Sequence, residues 1–133
     1  MREATLLFGT VDRINSVQRL LASIDANTVG IDFGIVLVDG SRTHSAWNLV
    51  RGRRNVQYFE DTERGGFSKA YNLGARLARG EFLVWLNDDC AVCKGWLKNT
   101  LKFMRTRKDV GVGALLWREG TRRHVRQHIF DIF

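Results

Sequence analysis

Two adjacent carboxylates, Asp88 and Asp89, follow an apolar run from Glu81 to Leu86 and have the chemistry of a hard-cation site. Mg²⁺ or Mn²⁺ is commonly held by one or two protein carboxylates, with water and phosphate oxygens completing the shell. Other polar groups recur at comparable places. Asp12 follows the apolar run Thr5 to Phe8, Asp39 follows Gly34 to Val38, and Arg64-Gly65-Gly66 follows Val56 to Glu60. Carboxylates at strand ends can accept from ribose hydroxyls or from a base edge. A Gly-Gly turn that opens a helix lets backbone amides approach a diphosphate. Together these are the parts needed to bind a nucleoside diphosphate and to stabilise its charge as it leaves.

Each of these residues also has a plainer reading. Asp88 and Asp89 suit a helix cap or a shaped loop, but their place after an apolar strand favours a metal. Asp39 suits a turn before Gly40, with nucleotide contact the better reading, whereas helix capping explains Asp12 equally well. Lys69, on a first helical turn, reads as solvated unless a phosphate lies near it. Cys90-Ala91-Val92-Cys93 has the C-x-x-C spacing of redox and zinc sites, yet only His124 and His128 could complete a zinc shell. Two small, partly buried residues beside the acidic loop are the better reading. Trp85 and Trp96 are read as core rather than as sugar-stacking platforms.

The elements that must carry these groups alternate in type. Thr5 to Phe8 suits a buried strand, and Val17, Leu20, Leu21 and Ile24 recur at helical spacing, with Asp12 or Asn15 as the cap. Gly34 to Val38 is continuously apolar and β-branched, as in a strand covered on both faces. A helical stretch around Ser45 to Val50 precedes a strand at Val56 to Glu60. Ser68 is placed to cap a helix through Arg79, which Gly80 would stop. A strand from Glu81 to Leu86, a helix from Gly95 to Arg107, a fifth strand at Val110 to Trp117 and a return strand at His124 to Phe130 complete the pattern. Such alternation implies crossovers and a mostly parallel sheet with helices on both faces. In open sheets of that kind, ligands bind beyond the carboxyl ends of the strands, where the polar groups above fall.

Composition narrows the class. A chain of 133 residues, 44% hydrophobic and 26% charged, suits one globular domain. No apolar stretch approaches the roughly 20 residues of a membrane span, and Met1-Arg2-Glu3-Ala4 does not open a secretion signal. Two cysteines give no disulfide framework, so a reducing, cytoplasmic setting is expected. The net charge of +7 gathers at Arg51, Arg53 and Arg54, at Arg105, Arg107 and Lys108, and at Arg118, Arg122, Arg123 and Arg126. Such clusters attract polyanions, including the inner membrane face, or are simply solvated. Nucleic acid is disfavoured because aromatic and basic residues do not interleave on one strand face. A dinucleotide oxidoreductase is disfavoured because Gly9-Thr10-Val11-Asp12-Arg13 lacks the G-x-G-x-x-G turn.

Four motifs then occur in a telling order. They are Thr10-Val11-Asp12-Arg13; Ile35 through Val38-Asp39-Gly40-Ser41; Gly66-Phe67-Ser68-Lys69-Ala70-Tyr71-Asn72-Leu73-Gly74; and Ala78-Arg79-Gly80-Glu81 through Leu86-Asn87-Asp88-Asp89, trailed by Gly95-Trp96-Leu97. From Thr5 to about Phe130 the chain resembles family 2 glycosyltransferases. The resemblance implies a GT-A fold, that is, a Rossmann-like three-layer α/β/α architecture with a mostly parallel central sheet. It implies a nucleotide-diphosphate-sugar donor, Mn²⁺ or Mg²⁺, and inversion at the anomeric carbon by direct displacement. Asp12 and Asp39 would contact the nucleoside, Asp39 at the base or ribose. Asp89 would be the metal ligand, with Asp88 beside it and near the donor sugar or ribose; Gly66 and Lys69 would lie near the diphosphate or sugar. Thr10, Arg13, Ser41 and Asn72 are carried with them as donor-binding positions.

The chain departs from the family pattern at Gly9-Thr10, where Pro-Thr is usual, and at Asn87, which opens the acidic motif. It is also shorter: the family's acceptor site and catalytic base fall beyond Phe133, so no residue here is assigned as base. The apolar ending Ile129 to Phe133 reads as the middle of a strand, hence as a domain truncated at its C-terminal end or completed by another chain, a second copy included. The rival function is therefore a module that holds nucleotide without turnover. The acceptor, whether glycan, lipid or protein, is left open.

Overall fold

In the computed structural model, residues 1–113 are described; they form two compact units, Met1–Trp96 and a second that begins at Leu97. The first unit holds the sheet. Its elements run β1 (Arg2–Thr10), α1 (Ile14–Asn27), β2 (Phe33–Asp39), α2 (Trp47–Val50), β3 (Val56–Glu60), α3 (Gly66–Leu77) and β4 (Gly80–Trp85), before α4 (Trp96–Thr106) crosses into the second. The four strands are all parallel, in the order β3-β2-β1-β4, and helices flank them. The alternation of apolar runs with helical periodicity thus yields the α/β sheet it implies.

β1 and β2 are apolar without alternation because both of their faces are covered: Leu6, Leu7 and Phe8, and Ile35 to Val38, are buried throughout. Along β1 the pleat sends Leu7 to one face, where it meets Val36, Val38 and Tyr71 together with Ala70, Leu73 and Leu77 of α3. Gly74 lets α3 lie close to this face, since a Cβ there would meet Leu7 Cδ1 at 2.1 Å. α1 buries Val17, Leu20, Leu21 and Ile24, the four positions its spacing marks.

Several local expectations change. Neither Asp12 nor Asn15 caps α1: the cap position is Arg13, with no side-chain cap bond, and Asp12 takes a left-handed turn at φ 54°. Ser68 lies inside α3, which opens at Gly66 with Gly65 in the cap position. Gly80 does not stop α3, which ends at Leu77; it begins β4 instead, where a Cβ would sit 2.4 Å from Ala4 C and 2.5 Å from Thr5 N. Glycine is needed there for close strand approach. Trp85 is 58% exposed rather than core, whereas Trp96 is buried and donates its indole N–H to Thr28 Oγ1. Of the fifth strand expected at Val110 to Trp117, residues 110–113 carry no strand and the remainder lies outside the described residues, as do the return strand, His124 and His128.

In the second unit, α4 buries Leu97 and Leu101, and Arg107 pairs with Asp109 just past the helix. Among the described residues no helix is long and apolar enough to cross a membrane. Part of the basic charge is paired at the surface, as where Arg53 forks onto Asp25 at 2.9 and 2.7 Å.

Candidate active site

The strand order places β1 between β2 and β4, so the chain reverses its direction across the sheet between β1 and β4. At that switch point the loops leave the two strands on opposite sides and open a crevice at the carboxyl ends. Thr10, the last residue of β1, donates from Oγ1 to Asp88 Oδ2 at 2.8 Å, tying the two strand ends together. Arg13, immediately before α1, donates from Nη1 to Asp88 Oδ1 at 3.1 Å and to Asp89 Oδ2 at 3.3 Å. Asp88 is 7% exposed and Asp89 is open to solvent. An ionised carboxylate that is nearly buried must be neutralised or hydrogen-bonded, and Thr10 and Arg13 do both for Asp88.

These residues line one side of a cleft of about 360 Å³, within the range of small-molecule sites. The opposite side comes from the end of β3 and the start of α3. Asp61 and Arg64 lie there, with Gly66 opening the helix at φ 81° and Phe67 and Tyr71 projecting from it. Asp61 accepts from Gly65 N through Oδ2 at 3.0 Å, fixing the turn that presents the helix N-terminus. The rings of Phe67 and Tyr71 stack at 4.1 Å between centroids, and Tyr71 donates its hydroxyl to the Leu86 carbonyl. Burial pushes the Tyr71 phenol above its ordinary value, keeping it a donor.

Of the donor-binding positions expected from the sequence, Thr10, Arg13, Gly66, Asp88 and Asp89 line the cleft. Asp12 stands at its rim: its N–H donates to Ser41 Oγ at 2.7 Å, and its carboxylate accepts from Arg42 N and lies 3.9 Å from Arg64 Nη2. Lys69 is turned toward Glu63 and Asp61, an arrangement that raises its ammonium above the ordinary value chiefly through the Glu63 hydrogen bond. Asn72 is exposed on α3, outside the cleft lining.

Asp39 is the most buried of the expected donor-binding positions. It is 0% exposed, and both carboxylate oxygens are committed, Oδ1 to Ser41 N and Oδ2 to the Tyr58 hydroxyl, each at 2.8 Å. Both oxygens are thus engaged within the fold, where they fix the turn after β2 and its link to β3. Ser41, itself buried, takes the Asp12 N–H, so Tyr58, Asp39, Ser41 and Asp12 form one chain of hydrogen bonds from β3 to the β1 loop. Burial, together with the Asp39 bond, drives the Tyr58 phenol well above its ordinary value.

Sequence reading missed Asp61, Phe67 and Tyr71. The first is hidden in a polar turn, and the other two look like ordinary helix residues until α3 is laid over the switch point. No cluster of three or more His, Cys, Asp or Glu side chains suited to a metal occurs among the described residues. Adjacent carboxylates, one solvent-open, nevertheless match the donor set of a hard cation that draws its remaining ligands from phosphate and water. Cys90 is half-buried with its thiol pushed up by burial, and Cys93 is exposed; both are free.

A parallel sheet with its crevice at the switch point, walled by carboxylates, guanidinium groups and a helix N-terminus, defines an open α/β protein with a polar cleft at the carboxyl ends of its strands. The chain belongs to glycosyl transferase family 2, whose model matches residues 9–132. It is 32% identical over 66 residues to a Drosophila melanogaster protein named as polypeptide N-acetylgalactosaminyltransferase 13, covering 50% of this chain and 12% of that one. A crystal structure of S. aureus TarS 1-349 is similar at a TM-score of 0.69 and 20% identity, over 88% of this chain and 40% of that one. A further S. aureus TarS structure gives 0.67 and 21%, over 88% and 24%. The latter two likenesses establish the GT-A-type fold, and the chain spans well under half of each relative.

Proposed function

We propose that this chain is the donor-binding portion of an inverting glycosyltransferase, and that the switch-point cleft takes the nucleoside diphosphate of a sugar donor. The observation that carries the reading is the convergence of Thr10, Arg13, Asp88 and Asp89 from β1 and β4 on one side of the crevice, opposite the N-terminus of α3. Asp89, with Asp88 beside it, would hold Mn²⁺ or Mg²⁺. A divalent ion bound there supplies charge neutralisation for the departing diphosphate. Arg13 and Arg64 lie within the same walls and add positive charge where negative charge develops. Gly66, with no side chain and a positive φ, leaves the first amides of α3 open to phosphate oxygens. The nucleoside would extend toward Val11, Gly40 and Asp61, with Asp12 at the rim as a ribose or base contact. Asp39 and Ser41 hold that rim in place. No described residue is assigned as the base that takes the acceptor proton.

A thermal-shift panel of UDP, GDP, dTDP and CDP, each with and without Mn²⁺, tests this reading, because a ligand selective for the fold raises its melting point by mass action. One base is expected to stabilise the protein more with Mn²⁺ than without, and Asp89→Asn is expected to abolish that Mn²⁺-dependent increment. No stabilisation by any of the four would overturn the reading. Binding without sugar transfer or donor hydrolysis would instead assign a nucleotide-holding module that turns nothing over.

A further inference from the structure

The carboxylates of Asp88 and Asp89, proposed above to hold a divalent ion, already carry a positive charge of the chain itself. Arg13 Nη1 is shared between Asp88 Oδ1 at 3.1 Å and Asp89 Oδ2 at 3.3 Å. A hard divalent ion coordinates carboxylate oxygens at roughly 2 Å, so an ion bridging those two oxygens would need the space and the lone pairs that Nη1 now uses. Both charges are positive, and they cannot share it. The Arg13 side chain is 53% exposed and leaves the backbone at the entrance to α1, so it is free to turn without disturbing the core. Across the cleft lie Asp61 and Arg64, of which Arg64 approaches Asp12 at 3.9 Å. No described lining residue offers Arg13 a second acidic pair, but the phosphate oxygens of a bound diphosphate would.

We propose that Arg13 is a resident counter-ion: it keeps the Asp88–Asp89 pair neutralised while the cleft is empty, and passes to the diphosphate when a divalent ion enters. This rests on the donor-binding reading given above. Cation and diphosphate binding are then coupled through one side chain. The ion entering alone must displace Arg13 into water, whereas with diphosphate present the displaced guanidinium gains a bidentate partner. The carboxylate pair, its buried member Asp88 above all, never stands without a countercharge, which is why the resting state needs Arg13 at all.

Direct titration of the intact chain with Mn²⁺ alone, followed by electron paramagnetic resonance of the free ion, separates this role from a merely structural or phosphate-binding one. Arg13→Gln is expected to bind Mn²⁺ alone about tenfold more tightly than the wild type, a coupling of ordinary size, while binding inorganic pyrophosphate more weakly. Arg13→Lys, which restores a positive charge without the fork, is expected to fall between the two; melting curves confirm that each variant is folded. Unchanged or weaker Mn²⁺ affinity in Arg13→Gln, with wild-type Mn²⁺ binding that Asp89→Asn removes, would overturn the counter-ion role and leave the donor site standing. Absence of Mn²⁺ binding from wild type and variants alike would bring down the metal reading and this inference together.

Discussion

The two ends of the sheet use polar side chains in opposite ways. At the amino ends of the strands, side chains bond back to the backbone. Arg2 Nη1 reaches the carbonyls of Phe33 and Asn55 at 3.3 and 3.4 Å, and Thr5 Oγ1 accepts from the amides of Arg79 and Gly80 at 3.1 and 2.9 Å. These bonds tie β1 to its neighbouring segments through backbone groups. At the carboxyl ends, side chains bond to one another across strands: Thr10 to Asp88, Arg13 to both aspartates, Tyr58 to Asp39. One end is finished chiefly by bonds to backbone, and the other adds side-chain pairs that tie separate strand ends together. The contrast separates architecture from chemistry within a single sheet.

Variants at the two ends should therefore fail differently. The largest loss of stability is expected at the amino end. Gly80→Ala forces a Cβ into the backbone of Ala4 and Thr5 and should cost about 3 kcal/mol in chemical denaturation. A loss below about 1 kcal/mol would mean that β4 shifts freely along β1. Asp39→Ala comes next, because it leaves the Ser41 amide and the Tyr58 hydroxyl without their acceptor; about 2 kcal/mol is expected from the same measurement. If Asp39 instead contacted ligand directly, stability would barely change while nucleotide affinity collapsed.

Tyr58→Phe should cost about 1 kcal/mol at neutral pH. The Tyr58 phenol titrates higher in the fold than its ordinary value of 10.0, so the fold favours the neutral form. Its contribution is whole below about pH 10 and declines as pH rises beyond that through the folded value. The gap between wild type and Tyr58→Phe in denaturation should accordingly narrow in strongly alkaline buffer. The smallest effect on stability is expected for Asp89→Asn, within about 0.5 kcal/mol for a solvent-open residue, while the proposed Mn²⁺-dependent nucleotide response is expected to be lost in the thermal-shift panel.

The strands were legible because covering both faces demands unbroken apolar runs, and Leu6 to Phe8 and Ile35 to Val38 provide them. The acidic pair after β4 was legible for a related reason: a run that ends abruptly on Asn87-Asp88-Asp89 must surface at the strand's carboxyl end. Orientation was not. Asp39 and Asp89 look alike in sequence, each an aspartate after an apolar strand, yet Tyr58 and the Ser41 amide turn the first inward. Gly80 followed a helix by only a few residues and so resembled a stop, when the requirement came from β1, far away in the chain. Trp85 looked like core because tryptophan usually is, but the strand that carries it is the outer one of the described sheet. Caps failed for a similar reason, since the turn containing Asp12 answers to Ser41 and Arg42 rather than to α1.

The Thr10–Asp88 bond joins residues 78 positions apart. During synthesis β1, β2 and β3 can pair while the cleft is still incomplete, because the wall that carries Asp88 and Asp89 arrives only when β4 docks against β1. Pairing over so long an interval of chain is slow to form. A ligand held in this cleft would thus recognise only a sheet that has received its fourth strand, and would act on the nascent protein as a ratchet against reopening.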